Sequence, residues 1–348
     1  MRVLFIIHEL APNGAVVALY EQARWLLAAG HTVRVLTPPL DGPAAAPLAR
    51  FEAAGIAIGR SAVWAEHDVV VGCTIFAAAA LFDLIGRLPV VWWIHEGIAG
   101  VRAVLAQPKA AHVLARADRL IFPSRAVAER LFGPVLAHGA PGRVEVVAGI
   151  VGPPAPGEAA PKAAGSIRVL CVGSVYPRKR QSDLVQAVAR LRGASVECVL
   201  VGDVHAIEEP GASLVQADPV RYRLTGGLAP EQVQALYRSA DVFSLPSADE
   251  SMPLAPVEAA WHGVPVVLSD LACYEGVWKH GHNALIHPVG DVEMLAWCLR
   301  MLVESGDLRQ RMVAGARRIT ALFGERRAGV AFETVLADAM AGWHPSAA

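Results

Sequence analysis

Two glutamates eight positions apart, Glu250 and Glu258, have the chemistry and the sequence context of ligand-binding side chains. They lie in the segment SLPSADESMPLAPVEAAWHGVPVVLSD, which we interpret as a strand end, a polar loop, a short helix and a second strand. Its prolines fit the loop and the opening of the helix, because proline lacks an amide proton and has a fixed φ. Free amides at a helix N-terminus suit a phosphate, so a carboxylate beside them serves ligand hydroxyls instead. The combination predicts a site for a nucleotide sugar.

The residues around the two glutamates define the expected helix entrance. Glu250 is placed in the loop and Glu258 in the first turns, while Gly263 ends the helix. The amides expected to point toward the bound phosphate belong to four residues between the glutamates: Ser251, Met252, Leu254 and Ala255. Glu258 is therefore expected to accept hydrogen bonds from hydroxyl groups of the ligand.

A basic loop forms the second group of candidate side chains. The sequence GSVYPRKR, which begins at Gly173, follows a predicted strand and precedes a predicted helix. It contains three cations, Arg178, Lys179 and Arg180. Open α/β sheets bind ligands at the carboxyl ends of their strands, so these cations are expected to face the ligand.

The Glu-x7-Glu pattern and its surroundings closely resemble the signature of the retaining GT-B glycosyltransferases grouped as glycosyltransferase family 4 (glycosyl transferases group 1). The resemblance extends over nearly the whole chain and is strongest over residues 169–288. It implies that Glu258 holds the ribose of a donor nucleotide and that Glu250 contacts the transferred sugar. It also implies that the amides between them bind the sugar and the diphosphate.

The basic loop matches the family pattern only in part. Lys179, the sixth residue after Gly173, matches a family lysine that neutralises the leaving diphosphate. Ser174 stands where the family has an arginine, and whether the displaced Arg178 replaces that arginine stays open. In the signature itself, Met252-Pro253 replaces the usual Phe-Gly, so one backbone donor is missing beside the sugar. The sugar preference is therefore expected to differ from that of better-known members.

The first half of the chain contributes further candidates. His95 comes just past a predicted strand and resembles the family histidine that contacts the donor sugar, with His8 as a weaker competitor. Asn13 and Gly14 match the position of a family Gly-Gly loop that contributes to donor binding. Asparagine suits such a loop because it tolerates the left-handed conformation.

A metal site is not predicted. His280, His282 and His287 lie close together in sequence, but no cysteine or acid flanks them at ligand spacing. The chain has no Asp-x-Asp, and Asp291-x-Glu293 fits better as a helix cap with a first-turn acid. The expected reaction uses a nucleoside-diphosphate sugar as co-substrate and no further cofactor.

Strands and helices alternate along the chain, which predicts an α/β fold with doubly wound parallel sheets. A segment rich in Pro, Gly and Ala, residues 149–166, is interpreted as a linker. We therefore predict an N-terminal Rossmann-like, acceptor-side domain over residues 1–155 and a donor-binding Rossmann-like domain over residues 156–324. The resemblance adds a GT-B architecture, in which the domains face a central cleft, close on substrate, and are joined by a final helix at about residues 325–348.

Two helical segments are predicted in more detail. One helix is expected over Ile75–Leu88. The tail from Leu308 to Trp343 is expected to be helical with breaks at Gly315, Gly324 and Gly329.

Composition limits the classes of protein that the chain can represent. Of its 348 residues 54% are hydrophobic, which is ample for buried cores. The 31 Lys and Arg residues balance 32 Asp and Glu residues, so a nucleic-acid partner is not expected. The chain opens directly on a strand pattern, its most apolar run is interrupted by Asp83 and Arg87, and its five cysteines are scattered. These features predict a cytoplasmic protein.

The resulting hypothesis is a retaining, metal-independent hexosyltransferase of the kind used in polysaccharide biosynthesis. Its acceptor stays open and includes a glycan, a lipid-linked glycan at the inner face of the membrane, or a small molecule. The nucleotide base and the oligomeric state also stay open. Two other functions remain: a different GT-B sugar-nucleotide enzyme, such as an epimerase, and a catalytically silent regulatory subunit. The presence of His95, Lys179, Glu250 and Glu258 favours an enzyme over the silent subunit.

Overall fold

The computed structural model describes residues 1–11, 13–38, 45–61, 64–136, 143–193 and 195–344, with side chains from residue 48 onward in the third range. The chain divides into two compact units. The first unit comprises the described parts of Met1–Ile150 and Phe323–Ala348, and the second is Val151–Leu322. Residues 345–348 of the predicted final helix lie outside the described residues.

The first unit contains, within the described residues, a seven-stranded parallel sheet in the order β3-β2-β1-β4-β5-β6-β7. Its strands are β1 (Arg2–Ile7), β2 (Thr32–Leu36), β3 (Ala57–Gly59), β4 (Val69–Cys73), β5 (Val90–Trp93), β6 (Arg119–Phe122) and β7 (Val144–Val146). Its helices are α1 (Gly14–Ala28), α2 (Ala45–Ala53), α3 (Ala78–Phe82), α4 (Ile98–Ala106), α5 (Pro108–Arg116), α6 (Gly133–Leu136) and α13 (Glu325–Ala341), with a π-helical turn at Val127–Leu131.

The second unit contains a six-stranded parallel sheet in the order β10-β9-β8-β11-β12-β13. Its strands are β8 (Ile167–Val172), β9 (Val196–Val201), β10 (Tyr222–Leu224), β11 (Val242–Leu245), β12 (Val266–Ser269) and β13 (Leu285–His287). Its helices are α7 (Gln181–Ala189), α8 (Gly211–Ala217), α9 (Pro230–Ser239), α10 (Ala255–Trp261), α11 (Val292–Glu304) and α12 (Gly306–Phe323).

The central strands are mostly apolar because helices cover both faces of each sheet. In β1 every residue from Val3 to Ile7 is buried, and Val3 is in register with Val33 of β2 and Val69 of β4. The chain leaves β8 for β9 and β10 on one side and returns to β11 on the other side. The boundary between β8 and β11 is therefore a topological switch point, the place where open α/β sheets bind ligands. The two sheets confirm the predicted α/β fold with two Rossmann-like domains.

Two of the three predicted breaks in the C-terminal helical segment are wrong. The helical tail is interrupted at Gly324, as expected, but Gly315 lies inside α12 and Gly329 lies inside α13. A Cβ at position 315 would lie 2.1 Å from the carbonyl oxygen of His282, and a Cβ at position 329 would lie 2.3 Å from the Trp25 ring. These two glycines permit close packing rather than end the helix.

The predicted helix over Ile75–Leu88 is also shorter than expected. A 3-10 turn covers Ile75–Ala77, and α3 ends at Phe82. Turns follow, in which Gly86 has a φ of 77°. A left-handed glycine is incompatible with a continuous helix, so the helix predicted from the apolar residues is too long.

The predicted linker is attached to the second unit. Arg168, whose side chain is fully buried, donates hydrogen bonds to the carbonyl oxygens of Ala160 (3.4 Å) and Pro161 (2.6 Å), and to Glu197 (2.9 Å). The amide of Ala160 donates to the carbonyl of Ala235 in α9 at 2.8 Å. A buried arginine must be satisfied by acceptors, so these hydrogen bonds hold the connector against the unit.

Among the described residues, none of the helices combines the length and the hydropathy needed to cross a bilayer.

Candidate active site

Lys179 and Glu250 lie on the loops that follow β8 and β11, two neighbouring strands at the switch point of the second sheet. The ammonium group of Lys179 donates a hydrogen bond to Glu250 Oε1, and the Ser247 hydroxyl donates to the same oxygen at 2.7 Å. Ser247 is in turn held by Ser269, whose hydroxyl donates to its carbonyl oxygen at 2.5 Å. Side-chain exposures of 13% for Lys179 and 8% for Glu250 make this a largely desolvated ion pair.

Arg178 brings a second cation to the same carboxylate. Its guanidinium lies 3.9 Å from Glu250 Oε2 and donates hydrogen bonds to the Asp249 carbonyl and the Tyr176 hydroxyl. Its 38% side-chain exposure shows that part of the group remains in contact with solvent. The structure therefore places Arg178 beside the predicted site, although its suggested substitution for the arginine missing at Ser174 stays a prediction.

Gly173 lies beside the lysine and has a backbone conformation that favours glycine. It has a φ of 144°, and a Cβ at this position would lie 3.8 Å from Lys179 Nζ. A Cβ on Gly202, at the end of β9, would lie 2.5 Å from the backbone of Gly173. Position 202 therefore requires glycine because the two loops approach closely, and position 173 favours glycine because of its positive φ.

Arg180 is directed elsewhere. It has a left-handed backbone with a φ of 52°, and its Nε donates to Asp183 Oδ2 at 2.6 Å. Arg180 therefore forms an ion pair with an acid in the first turn of α7 and does not join Lys179 and Arg178 at Glu250.

Glu258 lies in the first turn of α10, as predicted, and is oriented by a buried tyrosine that the sequence analysis did not identify. The Tyr237 hydroxyl donates to Glu258 Oε2 at 2.9 Å and is 3.1 Å from the carbonyl oxygen of Ala255. Burial, followed by the nearby Glu258 charge, holds the pKa of Tyr237 well above its ordinary value, so its hydroxyl stays a donor. The His262 ring stacks on Tyr237 with centroids 5.1 Å apart.

The segment between the two glutamates is mostly loop. Leu254 caps α10 and Ala255 is its first residue, so Ser251 and Met252 precede the helix. The Met252 side chain is buried with 6% exposure, and α10 has only seven residues. The expected contacts of these four amides with a phosphate stay a prediction.

The first unit positions His95 just beyond β5. Its ring packs on Trp93 with centroids 4.3 Å apart, and loss of hydration lowers the pKa of His95 to about 3. The imidazole is therefore neutral at physiological pH. Its predicted contact with the donor sugar is untested.

Glu96 is a second residue that the sequence analysis missed. Its carboxylate accepts the amide of His95 at 3.0 Å and the amide of Ile75 at 2.9 Å, which ties the loop after β5 to the loop after β4. Burial raises the pKa of Glu96. Thr74, just before Ile75, has a φ of 71°, and its hydroxyl lies 3.0 Å from His8 Nδ1. The available sequence signal was an acid directly after His95, just past a predicted strand.

Asn13 and Gly14 differ from the predicted loop. Asn13 has an extended backbone with a φ of −122°, not a left-handed one, and its side chain caps α1 by accepting the Val16 amide at 3.1 Å. Gly14 is the first residue of α1. Asn13 is extended and not left-handed because it is the N-cap of α1, and an N-cap residue has an extended backbone.

Within the described ranges, no group of three or more His, Cys, Asp and Glu side chains could hold a metal ion. His280 Nδ1 instead accepts the amide of Ile286 at 3.0 Å, and His287 Nδ1 lies 2.9 Å from the carbonyl oxygen of Pro288.

A cavity of about 790 Å³ is lined by residues of β10 and α9. Its lining includes Tyr222, Leu224, Leu228 and Leu236, and it includes none of the predicted site residues. The chemistry of the site therefore rests on the switch-point residues and not on this cavity.

Comparison with known proteins identifies two family matches: Glycosyltransferase Family 4 over residues 12–151 and Glycosyl transferases group 1 over residues 158–319. A D-inositol 3-phosphate glycosyltransferase of Streptomyces bingchenggensis is 28% identical over 74% of this chain and 63% of its own length. A phosphatidyl-myo-inositol mannosyltransferase of Mycobacterium leprae is 33% identical over 40% of this chain and 37% of its own length. The matched segments thus span less than two thirds of these relatives.

The fold has counterparts among solved structures. The structure of Anabaena HepE in complex with UDP-glucose superposes with a TM-score of 0.79 at 19% identity, over 96% of this chain and 99% of HepE. This likeness establishes the GT-B fold, in agreement with the two parallel sheets. Both halves of the chain match, over residues 12–151 and 158–319, and the chain belongs to glycosyltransferase family 4, in the glycosyl transferases group 1.

Proposed function

We propose that this chain transfers a sugar from a nucleoside-diphosphate sugar to an acceptor hydroxyl, with retention of anomeric configuration and without a metal ion. The observation that carries the proposal is the Lys179–Glu250 ion pair at the β8/β11 switch point, with Glu258 on the following helix. A cation and two carboxylates at this position fit a ligand that combines a phosphate with hydroxyl groups.

The leaving group would be stabilised by Lys179. Negative charge grows on the diphosphate as its bond to the sugar breaks, and a fixed cation in a water-poor site stabilises that charge most effectively. Lys179 is 13% exposed in its side chain and lies beside Arg178, so both can act on the same phosphates. In this proposal the bound diphosphate replaces Glu250 as the partner of Lys179. Glu250 then accepts hydrogen bonds from the hydroxyls of the sugar.

Glu258 would anchor the ribose. Tyr237 fixes one of its carboxylate oxygens at 2.9 Å, which limits the rotation of the side chain. A carboxylate held in place by a buried donor loses less entropy when it accepts hydroxyl groups.

UDP-glucose is the first candidate for the donor, because HepE has been crystallised with UDP-glucose and shares the fold. The test is a thermal unfolding panel with UDP, GDP, ADP, CDP and dTDP. A nucleotide present at a hundredfold excess over its dissociation constant stabilises the folded state by about 2.7 kcal/mol. Absence of any shift with all five would overturn the donor assignment.

Retention is tested once a donor and an acceptor are found. Proton NMR of the glycoside product reports the anomeric configuration of the transferred sugar, which is fixed once the new glycosidic bond has formed. A product with the donor's configuration supports the proposal, and an inverted product overturns it.

A further inference from the structure

Helix α11 exposes three large apolar side chains to solvent. Met294, Trp297 and Met301 are 40%, 46% and 38% exposed, and they lie at positions i, i+3 and i+7. Because each helical residue adds a rotation of about 100°, this spacing places them on one stripe. The opposite side of α11, which includes Leu295 and Leu299, is buried against α7 and β13. Single exposed apolar residues are ordinary, whereas a contiguous stripe on a packed helix indicates an interaction surface.

One acid and one arginine border this stripe on the side away from the methionines. Glu293 and Arg300 are seven positions apart, so they lie on the same side of α11. Arg190 Nε donates to Glu293 Oε1 at 2.6 Å, but the Glu293 side chain is 77% exposed and can accept a second cation. Arg300 is exposed, and no acid in the described part of the chain forms an ion pair with it.

The charges and the apolar stripe together favour a protein over a lipid surface as the partner. An anionic bilayer selects helices with a surplus of Lys and Arg on the polar face. On α11 the acids Glu293 and Glu304 accompany the single cation Arg300. A balanced border of this kind fits a surface with the same balance of charges.

A second copy of α11 provides such a surface when the two helices pack antiparallel. A twofold axis at Trp297 places residues that lie about equally far before and after position 297 at the same level. Glu293 of one copy then lies beside Arg300 of the other copy. In the same way Met294 lies beside Met301, and the two Trp297 rings meet at the axis. A parallel pair would instead place Glu293 and Arg300 against the methionines.

We propose that the exposed face of α11 is the interface of a homodimer with twofold symmetry, in which the two α11 helices pack antiparallel. Each contact in such an interface occurs twice, so two Glu293–Arg300 pairs flank the central tryptophans. Methionine and tryptophan are enriched in protein interfaces, and tryptophan is among the residues that contribute most to binding. Glu304 lies beside the N-terminal end of the second helix, where the helix dipole favours a carboxylate.

The length of the helix limits the strength of this dimer. α11 has 13 residues and is about 20 Å long, so a helix pair forms an interface at the small end of the range for specific complexes. We therefore expect a reversible dimer that dissociates on dilution through the micromolar range. Lys179, Glu250 and Glu258 all lie outside α11, so dimerisation is independent of the proposed function.

Sedimentation velocity of the full chain over a dilution series measures the dissociation constant of the dimer. Trp297→Ala should raise this constant at least tenfold, because it removes the central contact from both copies. Arg300→Glu should also raise it at least tenfold, because it sets two acids against each other at both flanks. Glu293→Arg should have the same effect, because it sets two arginines against each other.

An equimolar mixture of the Arg300→Glu and Glu293→Arg variants is the decisive sample. In the mixed dimer, opposite charges face each other at both flanks, so its dissociation constant should be at least tenfold lower than that of either variant alone. Mixing cannot repair a folding defect in either chain. Recovery in the mixture therefore reports the antiparallel pairing itself.

Arg223→Glu is the matched control, because it makes the same change in net charge as Arg300→Glu. Arg223 is an exposed residue of β10, which lies at the opposite edge of the sheet from β13. Its substitution should leave the dissociation constant unchanged.

Three results overturn the proposal: a wild-type chain that stays monomeric at every concentration, a dimer that persists in Trp297→Ala, or a mixture that binds no more tightly than its components. A monomer that cosediments with phosphatidylglycerol vesicles, and loses this binding in Trp297→Ala, also overturns it and assigns the face to a membrane.

Discussion

Glu250→Gln should strengthen binding of a nucleoside diphosphate while it slows sugar transfer. Glu250 Oε1 accepts hydrogen bonds from Lys179 and Ser247, and Glu250 Oε2 lies 3.9 Å from Arg178. The carboxylate thus competes with a diphosphate for the cations. Glutamine keeps the shape of the side chain and removes its charge.

The magnitude follows from the burial of the pair. Unit charges about 4 Å apart interact by about 4 kcal/mol at the effective dielectric constant of a protein site, and the more exposed Arg178 contributes less than this. Removing one partner of a buried pair costs about 3–5 kcal/mol of stability because the remaining charge is uncompensated. Since Lys179 is 13% exposed, we expect about 3 kcal/mol, the lower end of that range. A diphosphate that restores a partner to Lys179 should bind at least tenfold more tightly, which is about 1.4 kcal/mol.

Titration calorimetry with the nucleotide selected by the thermal panel gives the affinity, and urea unfolding gives the stability. Ser247→Ala is the matched control, because it removes one hydrogen bond to Glu250 but leaves the ion pair intact. It should cost about 1 kcal/mol of stability and leave nucleotide affinity nearly unchanged. If Glu250→Gln binds the nucleoside diphosphate more weakly than the wild type, the carboxylate organises the cations and does not compete for them.

Three further outcomes are expected. Lys179→Ala should lower turnover by on the order of a hundredfold or more in a folded protein. Wild-type activity should survive excess EDTA. Wild-type activity that is lost in EDTA and restored by magnesium or manganese would contradict this mechanism. Tyr237→Phe should weaken nucleoside-diphosphate binding by about 1 kcal/mol in calorimetry, because Glu258 loses its buried donor, and equal affinities would remove Tyr237 from the site. For His95, the folded pKa of about 3 lies below the unfolded value of 6.5, so the unfolded state binds the extra proton between these pH values. The free energy of unfolding should therefore fall by up to about 1.4 kcal/mol per unit as pH decreases below 6.5, and His95→Gln should remove that contribution in urea unfolding measured across pH.

The strands at the centre of each sheet could be predicted because their burial on both faces is recorded as continuous apolar sequence. β4 and β5 are examples, with the sequences VVVGC and VVWW. Short edge strands such as β10 have no such run, so the sequence pattern does not reveal them. The glycines at 315 and 329 were misinterpreted because sequence does not reveal which side chain packs against a glycine inside a helix.

The placement of the candidate residues on loops and helices could be predicted, but the contacts between their side chains could not. The loop positions of Lys179 and Glu250 follow from the strands that precede them, whereas the bond between them depends on β8 and β11 being neighbours. Tyr237 was missed for the same reason, since it is 21 positions from Glu258 on a different helix. Pairings of this kind are decided by tertiary packing, which local patterns do not encode.

The buried Arg168 determines where the second unit can be cut for separate production. A fragment that begins at Ile167 would delete the carbonyl groups of Ala160 and Pro161 and leave the guanidinium with fewer acceptors in an apolar interior. It would also remove Lys162, the ion-pair partner of Asp241. A fragment that begins at Val151 keeps these partners, so the Pro- and Ala-rich stretch should be treated as the first folded segment of that unit and not as a dispensable spacer.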